Sequence, residues 1–143
     1  MISVEEDIEV QSIHTWDEEE IAALYRVGGW WKEEYKTEDL RHLIRDSFAF
    51  AVAVDTKSGT AIGMGRVISD GISDGYIQDL VVLPQYRMHG VGARITRFLV
   101  NRCQQAGITW IGLIAETGTD SFYNTLGFQV MDEHVPMIYR GEE

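Results

Sequence analysis

The apolar positions change period several times along the chain, and each change marks an element. Val91, Ile95, Phe98, Leu99, Cys103 and Ala106 keep helical spacing, which predicts a helix with one buried face, opening at Gly90 and closing at Gly107. Before it, Tyr76 to Leu83 reads as a strand ended by Pro84; after it, Ile108 to Ala115 reads as another. A strand, helix and strand of these lengths make the two strands parallel through a right-handed crossover.

Upstream, Ile8 to Ile13 alternates weakly, as a first strand would. Thr15-x-x-Glu18 is a capping box, and the acids from Asp17 to Glu20 suit a helix N-terminus. Ile21, Leu24 and Tyr25 give that helix its buried stripe, and Gly28-Gly29 ends it. An aromatic-rich connection, Trp30 to Tyr35, leads to a second helix capped by Thr37, with Leu40, Leu43 and Ile44 on one face. Phe48 to Val54 and Thr60 to Ile68 read as strands joined by a turn at 55–59, and 70–75 leads into the strand at Tyr76. Past Ala115, Thr119 starts a short helix through Leu126. Phe128 to Met131 and Val135 to Arg140 then read as a last hairpin around Asp132-Glu133-His134. The expected class is α/β: a mixed, mostly antiparallel sheet flanked by helices, with one parallel step. At 143 residues the chain suits a single domain, 1–143.

Charge narrows the partners. The formal net charge of −11 repels a phosphate backbone, which argues against nucleic acid and favours cations, amines among them. Plain solubility explains the same surplus, since many of the acids crowd into the first 20 residues. No run approaches the ~20 apolar residues of a membrane span, and the first seven residues do not resemble a signal peptide. With Ile2 at the second position and Cys103 as the one cysteine, neither N-myristoylation nor an intrachain disulfide is expected. A cytoplasmic protein without membrane contact is the expectation. His14, His42, His89 and His134 are scattered without ligand spacing, so no metal is expected.

The chemistry concentrates at Arg87-Met88-His89-Gly90-Val91-Gly92-Ala93, an R-x-x-G-x-G-A turn between strand and helix. Its two glycines strip side chains from a helix start, where N–H groups are free and the dipole is positive, so a phosphate or pyrophosphate can approach closely. Arg87 adds fixed positive charge there. The turn is not a P-loop, because no glycine is followed by Lys-Ser or Lys-Thr, and it lacks the third glycine and the later acid of a dinucleotide fingerprint. Tight helix–strand packing would also explain two glycines.

The segment D-L-V-V-x-P-x-Y-R-x-x-G-V-G-A, Asp79 to Ala93, followed by F-Y-N-T-L-G-F, Phe122 to Phe128, resembles the GNAT superfamily of acyl-CoA-dependent N-acyltransferases. The resemblance implies that the strands 76–83 and 108–115 splay apart to form the acyl-CoA cleft. Acetyl-CoA is then the implied cosubstrate. Its pantetheine arm would lie along Leu80, Val81 and Val82, and its pyrophosphate on Arg87, Met88, His89, Gly90, Val91, Gly92 and Ala93. Tyr123 stands where the family places the tyrosine that protonates the leaving thiolate. An asparagine that relatives often carry seven residues earlier is replaced by Glu116, so that role is not transferred. Asp79 is the candidate base, acting through waters; holding neighbouring backbone by hydrogen bonds explains it equally well. Packing alone would explain Tyr123 together with Phe122.

The same resemblance places Trp30, Trp31 and Tyr35 over the acceptor end of the cleft, where flat aromatic faces suit an ammonium group. Relatives are often dimers, which makes a homodimer an expectation here. The sequence therefore points to direct transfer of acetyl to a primary amine, best a small arylalkylamine. Cys103, mid-helix on the apolar face, is not needed as a nucleophile. A protein N-terminal or lysine acetyltransferase and a non-catalytic acyl-CoA sensor stay open as alternatives.

Overall fold

The computed structural model describes residues 4–141. It divides into two compact units, Met1–Leu113 and Ile114–Glu143.

The first unit is built on a five-stranded sheet in the order β1 (Ile8–Ser12), β2 (Ala49–Asp55), β3 (Thr60–Ile68), β4 (Asp74–Val82) and β5 (Trp110–Gly112). The first three pairings are antiparallel and β4–β5 is parallel, as the strand–helix–strand pattern requires. Helices α1 (Glu18–Val27) and α2 (Leu40–Asp46) cover one face, where Ile21, Leu24, Tyr25, Leu40 and Ile44 bury against Phe50, Val52, Met64 and Val81. Helix α3 (Val91–Gln105) covers the other with Ile95, Leu99 and Cys103. It can approach because glycines face it: a Cβ on Gly65 would lie 3.1 Å from both Ile95 and Leu99. Close packing of glycines under a helix is thus present, but on β3 rather than in the turn at 87–93.

Several boundaries differ from the sequence reading. Helix α1 starts at Glu18, so its cap is Asp17, whose side chain accepts the Glu20 N–H at 3.0 Å, and not Thr15. A 3-10 turn, Thr37–Asp39, precedes α2, which has no side-chain cap from Thr37. Strand β5 keeps only three of the eight residues expected for it, because pairing with β4 stops at Tyr76↔Gly112.

The second unit holds α4 (Asp120–Asn124), which continues as a turn to Gly127. The expected hairpin after it does not form: 128–131 and 135–140 carry no strand. The turn between them exists, with Glu133 at φ 63 and a 3.4 Å bond from the His134 N–H to the Met131 carbonyl. Val130, Val135, Met137, Ile138 and Tyr139 are all exposed, so neither arm has a buried face. Two short arms without a third strand or a helix to cover them are not held as a ladder.

Candidate active site

The register of β3 against β4 shifts between Met64 and Arg66: Arg66 pairs with Gln78 and Met64 with Val81, so Asp79 and Leu80 together face Gly65. This is a β-bulge, and it breaks the alternation expected of a regular strand. Neighbours in a regular strand point to opposite faces, but Gln78 and Asp79 both lie on the α1 face. Gln78 is the pair partner of Arg66, and Arg66 reaches Asp79.

The bulge is held by side chains. Arg66 Nε donates to Asp79 Oδ2 at 2.7 Å, and the Tyr25 hydroxyl of α1 donates to the same oxygen at 2.7 Å. Arg66 Nη1 also reaches Ser47 Oγ at 3.4 Å, while Ser47 Oγ donates to the Leu43 carbonyl at 2.7 Å. Asp79 itself sits at φ 61, a left-handed conformation that aspartate tolerates better than most residues. Every buried side-chain polar atom among the described residues has a partner. Oδ1 of Asp79 accepts no bond among them, so it is open to solvent. Burial, then the Asp79 charge, push the Tyr25 hydroxyl well above the ordinary phenol range, which keeps it a donor.

Past Tyr76, β4 from Ile77 to Val82 has no β5 partner, so one edge of its backbone is not used by the parallel pairing. The chain then turns through Pro84–Tyr86. Tyr86 Oη donates to Asp55 Oδ2 at 2.6 Å, and Arg87 Nε donates to the Val82 carbonyl at 3.0 Å. Met88 (φ 68) and Gly90 (φ 76) flank His89 in left-handed conformations. Left-handed residues of this kind are the ones from which anion-binding turns are built. The first intrahelical bond of α3 runs from the Arg94 N–H to the Gly90 carbonyl at 3.1 Å, so the N–H groups of 91–93 precede the ladder. The turn runs directly into this helix start. Arg94 Nη2, by contrast, donates to the Ile8 carbonyl at 2.8 Å, and Arg94 and Arg97 line a shallow groove with Val10, Phe98 and Asn101.

The aromatic connection is already engaged. Trp30 packs against the core and meets Tyr25 edge-to-face at 6.1 Å, and a Cβ on Gly28 would strike its ring. The Arg26 guanidinium lies 5.4 Å above Trp31, which meets Tyr35 edge-on at 5.5 Å, and Lys32 lies 5.8 Å above Tyr35. These two rings hold cations, though the cations belong to the chain itself.

In the second unit Tyr123 is half-buried between Phe122, at 4.9 Å, and Phe128, at 5.9 Å, both edge-on. Its carbonyl accepts the Phe128 N–H at 3.1 Å, which fixes the aromatic turn. Burial first, and the Glu116 charge second, raise the Tyr123 hydroxyl above the ordinary phenol value. It therefore carries its proton at neutral pH.

The profile of the acetyltransferase (GNAT) domain matches residues 13–137. This chain belongs to the GNAT acetyltransferase family. It is 35% identical over 78 residues to the chloroplastic GCN5-related N-acetyltransferase 2 of Arabidopsis thaliana, covering 54% of this chain and 30% of that protein. It is 32% identical over 101 residues to the uncharacterized N-acetyltransferase ycf52 of Porphyra purpurea, covering 70% and 58%. The chain thus spans less than two thirds of either relative. Its fold is that of a GNAT family acetyltransferase from Streptococcus pneumoniae, with a TM-score of 0.79 at 24% identity, over 95% of this chain and 99% of that one.

Within this GNAT chain the first unit brings together the bulge at Asp79, the β4 run of Leu80, Val81 and Val82, and the loop 87–93 that follows it. Trp30 reaches the same place through Tyr25. Trp31, packed on the same core, pairs with Tyr35, and Tyr123 belongs to the second unit. Sequence reasoning took Tyr25 for packing alone and passed over Arg66. Two signals pointed to Arg66: a guanidinium inside the strand Ala61-Ile62-Gly63-Met64-Gly65-Arg66-Val67 needs a partner, and a strand glycine beside it marks a bulge. Among the described residues no group of His, Cys, Asp and Glu is arranged to hold a metal, and no helix is long and apolar enough to cross a membrane.

Proposed function

We propose that this GNAT protein transfers the acetyl group of acetyl-CoA directly to a primary amine, best a small arylalkylamine. The observation that carries the reading is a left-handed turn at 88–90 that runs into a helix start at 91–93, after a strand edge without a β5 partner. The loop suits a pyrophosphate, since the N–H groups of 91–93 precede the helix ladder and a Gly90 Cβ would meet nothing within 4 Å. Backbone groups of Leu80 to Val82 suit the amides of a pantetheine arm, and an N–H near Val81 suits a developing oxyanion. Acetyl-CoA supplies the activated acetyl group as a thioester.

The remaining work is proton movement. A primary amine arrives mostly protonated, with a solution pKa of roughly 10. Asp79 takes that proton through water at Oδ1, the oxygen that Arg66 and Tyr25 leave open. Tyr123, held protonated by burial and by Glu116, gives a proton to the departing thiolate. Trp30, Trp31 and Tyr35 form the acceptor side. In support, Trp31 and Tyr35 already attract Arg26 and Lys32, and an acceptor ammonium would compete for those faces. We assign the protein to the cytoplasm on its sequence alone.

The test is release of free thiol from acetyl-CoA in the presence of a panel of amines, peptides and a no-acceptor control. Acetylated arylalkylamine in one-to-one ratio with thiol is the expected result. Acetylation confined to peptides would assign a protein acceptor, and acetyl-CoA binding with no transfer would make the protein a sensor.

A further inference from the structure

We propose that Tyr25 and Arg66 are positioning residues for this reaction: together they fix the Asp79 carboxylate and the bulge it sits on. The inference rests on the transferase reading and deepens it. Three elements converge on one atom. Tyr25 comes from α1, Arg66 from β3 and Asp79 from β4, and both bonds fall on Oδ2 at 2.7 Å. Arg66 and Asp79 are only 17% and 18% accessible, and Arg66 is steadied in turn by Ser47.

Two consequences follow. A carboxylate pinned through one oxygen cannot rotate, so Oδ1 keeps one direction toward solvent. The left-handed backbone at Asp79 is also held in place, although a strand prefers another conformation. That kink sets which way the next residues face. Gly75 lies against Cys103 on the α3 side, and after the bulge the α3 side is taken by Leu80, beside Gly65, and by Val82, beside Gly63. Val81 instead joins the α1 core. The odd positions face α3 before Asp79 and the even ones after it. Loosening the carboxylate therefore frees both the proton acceptor and the backbone run of Leu80 to Val82. The signal extends to Trp30, whose ring packs on Tyr25, so acceptor contacts on the aromatic connection bear on the same atom.

The experiment compares the full-length protein with Tyr25→Phe, Arg66→Met and Arg66→Lys, measuring kcat and KM for the amine, calorimetric acetyl-CoA affinity and amide exchange at 78–82. Tyr25→Phe, which keeps the ring in the core, should lower kcat by about ten- to a hundredfold, the scale of a misplaced reacting group. Its acetyl-CoA affinity should fall less than its turnover, because the run of Leu80 to Val82 is loosened while the loop at 87–93 is untouched. Arg66→Met should lose more, and Arg66→Lys should recover part of the loss, which simple packing would not. Folded Tyr25→Phe with wild-type kcat overturns the proposal, whatever becomes of the Arg66 variants. If wild-type protein binds acetyl-CoA but acetylates no amine, the transferase reading fails by itself. Amide exchange then decides the positioning claim: faster exchange at 79–82 in Tyr25→Phe supports it, and unchanged exchange overturns it.

Discussion

Arg66 and Asp79 meet across a β-bulge, Nε to Oδ2 at 2.7 Å, where Asp79 and Leu80 share Gly65 as their opposite residue. The pair does two things at once. It satisfies a guanidinium that the strand carries into the sheet, and it holds an aspartate at φ 61 in the middle of β4. Several outcomes depend on that arrangement.

Replacing Asp79 should show how much of the fold rests on the pair. Asp79→Asn keeps a side chain that tolerates the left-handed region and can still accept from Arg66, so it should cost about 1 kcal/mol, the scale of one weakened hydrogen bond. Asp79→Val places a β-branched residue at that φ and strands the guanidinium, so it should cost about 3 kcal/mol or more. Urea midpoints of the two variants give the comparison, and equal midpoints would deny the bulge its stabilising role.

Stability should fall in alkali through Tyr25. Its hydroxyl is raised in the folded protein by burial and by Asp79, so above pH ~10 the unfolded chain loses a proton that the folded one keeps. The unfolded state then binds fewer protons, and stability declines as pH rises past that point. Below it the contribution is complete. Tyr25→Phe should flatten this decline, which denaturation between pH 8 and 11 would record; these bounds are roughly one to two units around a free phenol.

Most of this architecture is written in local patterns. The periods of Val91 to Cys103 and of Thr60 to Ile68 follow from which residues are buried, and both elements appear where the pattern puts them. The R-x-x-G-x-G turn was equally legible, because glycine at a left-handed helix start has few other uses. The bulge was not. Gly65 beside Arg66 hints at an irregularity on β3, but nothing local sets it opposite Asp79, whose place depends on Arg66 and Tyr25, 13 and 54 residues away. The hairpin beyond Phe128 failed for the opposite reason: the apolar runs and the turn are present, but two short arms alone are not held as a ladder.

The loop prediction separates conformation from collision. A side chain at Gly90 would meet nothing within 4 Å in the protein, but φ +76 is strained for a β-branched residue. Gly90→Val should therefore distort the turn and fill the approach to it, weakening acetyl-CoA binding by about tenfold or more while the fold survives, since helix α3 is anchored by its apolar face. Unchanged calorimetric affinity would remove this loop from the site.

The two tryptophans should separate. Trp30→Ala removes a ring packed on Tyr25 and the core, so its main effect should be a loss of about 2–3 kcal/mol of stability, somewhat under the range for fully buried aromatics. Trp31→Ala also loses core packing and its contacts with Arg26 and Tyr35, so it too should cost stability, but its larger effect should be a raised KM for an arylalkylamine. Steady-state kinetics beside thermal unfolding would distinguish them, and an unchanged KM in both would move the acceptor elsewhere.

The most direct test of direct acetyl transfer is a single-turnover measurement with acetyl-CoA bound and an arylalkylamine added, in wild-type protein and in Tyr123→Phe. The account predicts amine-dependent thiol release in the wild type. It also predicts a fall of roughly 10²–10⁴-fold in the Phe variant at unchanged acetyl-CoA affinity, the usual contribution of a general acid. A wild-type rate in Tyr123→Phe, or thiol release that ignores the amine, would contradict it.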